Sequence, residues 1–398
     1  MNASVSRAAD RVRWARAAAF FPQAVTTALR AAGGFAALAE ASPATLRALG
    51  LGDRFLKILG EAARFEATDL RWLEAPGHHL VPQDDPRFPP LLAALPDAPL
   101  ALWVRGNPAL LRQAQLAIVG SRRATPVGRE VAAEFAAAAV AAGWVVTSGL
   151  AEGVDAAAHR GALAALGPTI AVCGTGPDLV YPPRHQELAA AIAATGAIVT
   201  EFPPGIPARP AHFPYRNRLL AGLAIGTVVV EAALRSGSLV TARLAAEQGR
   251  DVYAVPGSIR NPAAQGCNAL LKDGARLADN ALDLLNELAF SPLFEAGLAA
   301  RPVAPPTAAA IAAACREATP RLDRDEEILL DALGFEPQDF DTLVARTGFR
   351  PAALAGHLLQ LELAGLLELR AGGQYARLGT PGRAVPPAPS PRPTSPPH

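Results

Sequence analysis

The stretch Gly226 to Ala242, GTVVVEAALRSGSLVTA, decides the fold. Its first part, Gly226 to Glu231, is apolar and dense in β-branched residues. It is too short for a typical helix and suits a strand buried on both faces. A turn over Ala232 to Arg235 leads to Ser236, Gly237 and Ser238, small residues that let a backbone approach a ligand and cap a following helix. Leu239 to Gln248 reads as that helix. A helix start behind a small-residue loop is a physical site for an anion, most often a phosphate. Strand, loop and helix in this order predict a parallel sheet with one anion-seeking edge.

Upstream and downstream, the same alternation continues. Strands read at Leu116 to Val119, Val145 to Thr147, Thr169 to Cys173, Ala197 to Thr200, Thr227 to Val230 and Val252 to Val255. Helices read at Gly128 to Ala142, Val154 to Leu166, His185 to Ala194, Arg216 to Gly222 and Leu239 to Gln248. This spacing predicts an α/β fold with a doubly wound parallel sheet, whose ligands bind at the carboxyl ends of the strands. Those ends carry Gly120-Ser121-Arg122-Arg123, the Ser148 to Gly153 loop with Gly149, and Gly174-Thr175-Gly176, expected to converge with Ser236-Gly237-Ser238. None is a nucleotide fingerprint. The Walker lysine is absent and the glycines are spaced wrongly for GxGxxG, so ATP hydrolysis and NAD chemistry find no support.

The basic residues nearest this edge are Arg122, Arg123, Arg216 and Arg218. Phe213-Pro214-Tyr215-Arg216-Asn217-Arg218 interleaves rings, guanidinium groups and an amide, which suits a surface that holds phosphates and stacks bases. The alternative buries Phe213 and Tyr215 in the core and pairs the arginines with Glu201 or Glu231. Asp155 and His159 stand at i and i+4, as an acid/base pair, half a metal site, or two residues that fix the loop. No second His or Cys has ligand spacing, which favours the loop role. Glu231 is a catalytic carboxylate or a loop anchor.

Composition bounds the rest. The chain has 398 residues and a net charge of +1, so a local basic site is possible but a uniformly basic binder is not. Cys173, Cys267 and Cys315 are too few and too far apart for a disulfide framework or zinc, and Cys173 reads as an inert core thiol. No signal core or membrane-length apolar run is evident, giving a cytoplasmic, non-membrane expectation.

Residues 1–75 read as a small helical domain, SAM-like or helix-hairpin-helix-like. Ser42-Pro43 is a helix-start signal, but Phe21-Pro22-Gln23 stands where a glycine hairpin would hold DNA. Residues 76–290 form the Rossmann-like domain, entered through a Pro-rich connector with a strand at Leu100 to Arg105. Residues 291–320 read as an Ala/Pro linker with one helix near Ala308 to Glu317. Residues 321–379 have a winged-helix order: helices Asp325 to Leu333, Phe340 to Thr347 and Pro351 to Ala364, then strands Leu366 to Arg370 and Gln374 to Leu378. Residues 380–398 read as a disordered Pro-rich tail.

Six words in the α/β region resemble the DNA-processing protein A family (DprA, also called Smf). They are IVGSRRAT at 118–125, SGLAEGVDAAAH at 148–159, GTGPDLVYPP at 174–183, FPYRNRLLAGL at 213–223, VVVEAALRSGSLVTA at 228–242, and VYAVPG followed by QGCNALLKDGA. The resemblance spans roughly residues 80–285. It implies a non-enzymatic, dimeric protein with an extended Rossmann domain. Such a protein binds single-stranded DNA and loads the RecA recombinase during natural transformation, with no cofactor, metal or catalytic residue. By position, Arg122 is implied as a leading DNA contact. By motif and physics the candidates also include Gly120, Ser121, Arg123, Gly149, Phe213, Tyr215, Arg216, Asn217, Arg218, Ser236, Gly237 and Ser238. Asp323, Asp325, Glu326, Glu327, Asp331, Asp339 and Asp341 give the C-terminal domain an acidic face that repels phosphates.

The competing reading is a Rossmann-like hydrolase of nucleoside monophosphates, a phosphoribohydrolase with a PGGxGTxxE word. Aligned on Ser236 to Thr241, that word places Leu244 where its glutamate belongs. Leucine cannot stabilise charge on a ribose.

Overall fold

The protein is described by a computed structural model that covers residues 3–295, 323–334, 337–363, 366–370 and 372–377. Two compact units divide the chain after Pro306. Unit 1 opens with helices α1 (Ala3–Ala18), α2 (Pro22–Ala32), α3 (Phe35–Glu40), α4 (Pro43–Ala48), α5 (Asp53–Ala62) and α6 (Glu66–Leu73). As the Ser42-Pro43 signal predicts, the Ser42 hydroxyl accepts the Thr45 N–H at 3.1 Å. The bundle closes on Trp14, which is buried against Phe35 and Phe55.

This bundle does not stand apart from the sheet. The Arg16 guanidinium forms a bidentate pair with buried Asp69 and also donates to the Pro204 carbonyl at 2.8 Å. Thr26 donates to the Ala98 carbonyl, and Phe20 packs on Phe202.

The α/β part continues with β1 (His78–Pro82), α7 (Pro90–Ala93), β2 (Ala101–Gly106), β3 (Gln115–Val119), α8 (Pro126–Ala141), β4 (Val145–Ser148) and α9 (Val154–Ala164). Next come β5 (Thr169–Val172), α10 (Gln186–Thr195), β6 (Ala197–Thr200), α11 (His212–Leu223), β7 (Gly226–Val229) and α12 (Ser238–Glu247). It ends with β8 (Asp251–Ala254), α13 (Gln265–Lys272), β9 (Arg276–Leu277), α14 (Ala281–Leu288) and α15 (Pro292–Glu295). The strands form one sheet in the order β1-β2-β6-β5-β4-β3-β7-β8-β9. From β6 to β9 the neighbours are parallel, while β1 with β2 and β2 with β6 are antiparallel.

The doubly wound sheet therefore stands, with an antiparallel edge added. That edge comes from the expected connector. His78–Pro82 pairs with Ala101–Gly106, although two histidines and a proline make it read as loop. Helices α13 and α14 and strand β9 were also not expected. The expected linker begins too early, because Phe294 is buried edge-to-face on Trp144. The rest of that linker, its expected helix and the tail lie outside the described residues.

Helices α8, α9 and α14 cover one face, and α7, α11 and α12 the other. Ile118, Val228 and Val229 are fully buried between the layers, and each such side chain contributes roughly 1.5–3 kcal/mol through burial. They fix β3 beside β7, where the strand order reverses. On open α/β sheets that crevice is the ligand position.

Unit 2 is a winged helix. Helices Arg324–Leu333, Phe340–Thr347 and Pro351–Leu363 pack a leucine core over a sheet of β10 (Gln338–Asp339), β12 (Gln374–Arg377) and β11 (Leu367–Arg370), in that spatial order. Asp323 and Glu326 close a capping box at its first helix.

Candidate nucleic-acid cleft

At the carboxyl ends of β3 and β7 lies an open cleft of about 520 Å³. Its walls are the β3–α8 loop, the β7–α12 loop and one face of α11. Gly120 begins the first wall in close contact with both neighbours. A Cβ there would lie 2.6 Å from Val154 Cγ2 and 2.9 Å from the Glu231 carbonyl. Ser121 then donates its N–H to that carbonyl at 2.6 Å and accepts the Val154 N–H at 3.1 Å. This stitching leaves Arg122 and Arg123 exposed at the cleft, and no acidic partner is found for either among the described residues.

Glu231 is the anchor of that wall. One carboxylate oxygen accepts the Thr125 N–H at 3.0 Å and the Thr125 hydroxyl at 2.9 Å, while the same hydroxyl caps α8. The opposite wall carries Arg235, exposed, with Ser236, Gly237 and Ser238 at the start of α12. The loop is less rich in free amides than its sequence implies. Ser236 donates to the Ala233 carbonyl, Ser238 to the Ser236 hydroxyl and Leu239 to the Ser236 carbonyl. Among the described residues, of the three amides of Ser236, Gly237 and Ser238, that of Gly237 is the one left over.

The floor is built around Gly149. Asp155, buried at the start of α9, accepts the Gly149 N–H at 3.1 Å and the Ala151 N–H at 3.3 Å. Burial raises the Asp155 carboxyl pKa, and the Arg216 charge opposes that shift. Arg216, also buried, donates to the Gly149 carbonyl at 2.8 Å and to the Val172 carbonyl. Burial lowers its own pKa. Leu150 follows with φ of 59°, the left-handed region that a branched side chain rarely enters. Its carbonyl accepts from His185 Nδ1 at 2.9 Å, which holds the turn.

The structure thus brings Gly120, Ser121, Arg122, Arg123, Phe213, Arg216, Asn217, Ser236, Gly237 and Ser238 to one cleft. Three candidates are corrected. Gly149 is buried beneath the floor with its N–H taken by Asp155. Tyr215 points to the helical bundle and donates to the Ala19 carbonyl at 3.0 Å. Arg218 is buried and paired with Glu201 and Asp97, as the alternative reading anticipated for one arginine. The Gly174 to Gly176 loop also stays outside the cleft, because Gly176 donates to the Ile206 carbonyl and Gly174 accepts from His212.

His159 fixes a strand instead of the loop. The Thr169 hydroxyl spends its proton on the Val146 carbonyl, so His159 donates to it from Nδ1 at 2.7 Å. Burial holds its pKa down at about 3. Cys173, buried, has its thiol pushed up to about 11 by burial, as an inert core thiol should. Among the described residues, the side chains close enough to share a metal ion are Asp323, Glu326 and His357 of unit 2, two of which already close the helix cap.

Sequence reading missed Arg235 and Tyr181. Arg235 sits in the turn before the serines, and Tyr181 lies 5.3 Å from Phe213 between ring centroids. Charge in a sheet-edge turn was the available signal for the first, and an aromatic in the GTGPDLVYPP word for the second.

Four arginines and one tied carboxylate in a cleft at a doubly wound switch point define a Rossmann-like α/β protein with a cationic ligand edge. The family model for DNA recombination-mediator protein A matches residues 79–289, and that for the DprA winged helix domain matches residues 304–373. Protein Smf of Escherichia coli is 42% identical over 312 residues, 78% of this chain and 80% of that protein. DNA processing protein DprA of Streptococcus pneumoniae is 42% identical over 206 residues, 52% of this chain and 73% of that protein. The X-ray structure of the pneumococcal DprA superposes with a TM-score of 0.62 at 32% identity, covering 69% of this chain and 95% of that one. The chain belongs to the DNA recombination-mediator protein A (DprA/Smf) family, and its role is in DNA processing.

Proposed function

We propose that this protein binds single-stranded DNA in the switch-point cleft and hands the strand to the RecA recombinase during natural transformation. In this reading it acts as a cytoplasmic homodimer without chemistry of its own. The observation that carries the reading is the convergence of Arg122, Arg123 and Arg235, all exposed, with the Phe213 ring at one cleft. Arginines hold phosphates, and a ring accepts a base only when that base is unpaired. Such a site favours a single strand over a duplex.

The state of the carboxylates supports a binder over the hydrolase reading. One oxygen of Asp155 and the Thr125-bound oxygen of Glu231 are committed to backbone and hydroxyl donors. Leu244 occupies the position where the hydrolase word carries glutamate. For localisation, none of the described helices is long and apolar enough to cross a membrane.

The test is fluorescence anisotropy with a labelled oligothymidine and a duplex of equal length over a salt series. Salt-sensitive binding that prefers the single strand is expected. Absence of binding to either at low salt would overturn the reading and return the cleft to a small nucleotide. Light scattering at micromolar concentration checks the dimer, and RecA nucleation on the bound oligonucleotide checks the hand-over.

A further inference from the structure

The loop between β5 and α10 presents Tyr181 beside the cleft, 47% exposed, an unusual position for a large ring on a tightly fastened segment. Several bonds pin this loop. The Thr175 hydroxyl donates to the Leu179 carbonyl at 2.7 Å, Gly176 donates to the Ile206 carbonyl at 2.9 Å, and the Asp178 carboxylate accepts the Gly205 N–H. Pro182 and Pro183 follow directly, and each fixes its own φ. The ring is therefore held out by structure already in place, at little further entropy cost on binding.

Its surroundings give that ring a direction. Tyr181 meets Phe213 at 5.3 Å between centroids with the planes inclined by 44°. Phe213 lies 5.7 Å beneath the Arg122 guanidinium carbon. Cation, cleft ring and exposed ring thus form one continuous series leading out of the cleft. The two rings touch, so no base fits between them. The exposed face of Tyr181 is the surface still open to a base.

We propose that Tyr181 is a base-stacking residue that receives a nucleobase on its exposed face as a single strand leaves the cleft. The proposal rests on the reading of the cleft as a single-strand site and adds a specific contact to it. Stacking on one aromatic ring is worth about 1–3 kcal/mol per base, roughly a 5- to 150-fold change in affinity. It depends on the base and not on the phosphate.

The experiment measures affinity for oligothymidine and for an abasic oligomer of equal length, with wild type, Tyr181→Ala, Tyr181→Phe and Arg122→Ala. Tyr181→Ala is expected to weaken oligothymidine binding about 5- to 100-fold, leave the abasic oligomer and the salt slope unchanged, and be rescued by Tyr181→Phe. An undiminished affinity for oligothymidine, or an equal loss on both oligomers, would overturn the assignment. If wild type itself fails to bind oligothymidine, the cleft reading falls; if wild type binds and only the Tyr181 variants are silent, Tyr181 alone falls. A second readout uses the unmodified protein. An oligomer carrying 5-iodouracil should photocrosslink to the peptide that contains Tyr181, and crosslinks confined to other peptides would sink the proposal.

Discussion

Asp155 and Arg216 grip the two polar ends of one residue: the Asp155 carboxylate accepts the N–H of Gly149, and the Arg216 guanidinium donates to its carbonyl. The absence of a side chain at position 149 permits both approaches. A Cβ there would lie 2.6 Å from Arg216 Nη1 and 2.7 Å from Asp155 Oδ2. The floor of the cleft is thus a buried ion arrangement assembled around a bare α-carbon.

Gly149→Ala should destabilise the protein by about 1–3 kcal/mol, the usual result of overpacking a closed site. It should also weaken DNA binding by displacing Arg216. The urea midpoint checks the first effect and anisotropy the second. A midpoint equal to wild type would show that the floor relaxes without loss.

Arg122→Ala removes an exposed cation rather than a structural one. Affinity for single-stranded DNA should fall, and the slope of log K against log salt should lessen by about 1, as expected for one lost phosphate contact. Stability should stay within about 0.5 kcal/mol of wild type. An unchanged affinity and slope would take Arg122 out of the site.

Arg218→Ala behaves in the opposite way. It strands Glu201 in the interior, and breaking a buried pair costs about 3–5 kcal/mol. The double variant with Glu201→Ala should recover part of that loss, a coupling that a double-mutant cycle on urea midpoints measures. Under conditions where both proteins stay folded, DNA affinity should match wild type. A selective loss of binding in folded Arg218→Ala would return this arginine to the interface.

His159 sets a pH dependence. Its pKa is depressed to about 3 in the fold by burial, against an ordinary value of 6.5. Between these values the unfolded chain holds a proton that the native protein does not, so stability falls as pH drops below 6.5. The slope contributed is at most about 1.4 kcal/mol per pH unit. It should be absent in His159→Gln, compared with wild type by urea unfolding at pH 7.5, 6 and 5. Equal slopes for the two proteins would show that His159 is not the group responsible.

Deleting residues 321–398 should leave DNA affinity nearly intact. Asp323, Asp325, Glu327, Asp331, Asp339 and Asp341 are exposed on unit 2 and repel phosphates. A large loss on titrating the truncated protein would overturn this account of the winged helix.

The sheet and the two cleft loops were legible because buried parallel strands and small-residue turns leave local signatures. The sorting of the aromatic-arginine word was not, since the sequence reading began its helix at Arg216, whereas α11 starts at His212. Once the whole word is helical, its period decides. Phe213, Arg216, Asn217 and Leu220 fall at i, i+3, i+4 and i+7 and line the cleft. Tyr215 and Arg218 share the other side, where the helical bundle and Glu201 wait for them. Arg235 escaped although its place in the turn before Ser236 was a local signal, because arginine is so common in this chain that its charge alone carried little weight.

Thr125 and Glu231 tie the two loops of the cleft together from positions 106 residues apart in the chain. A polypeptide that has emerged past α8 but not β7, or one cut between them, possesses Arg122 but has no wall to set opposite it. The two-walled cleft therefore arrives late and all at once. Fragments that end before β7 carry only part of the arginine set and lack the wall on which Arg235 stands.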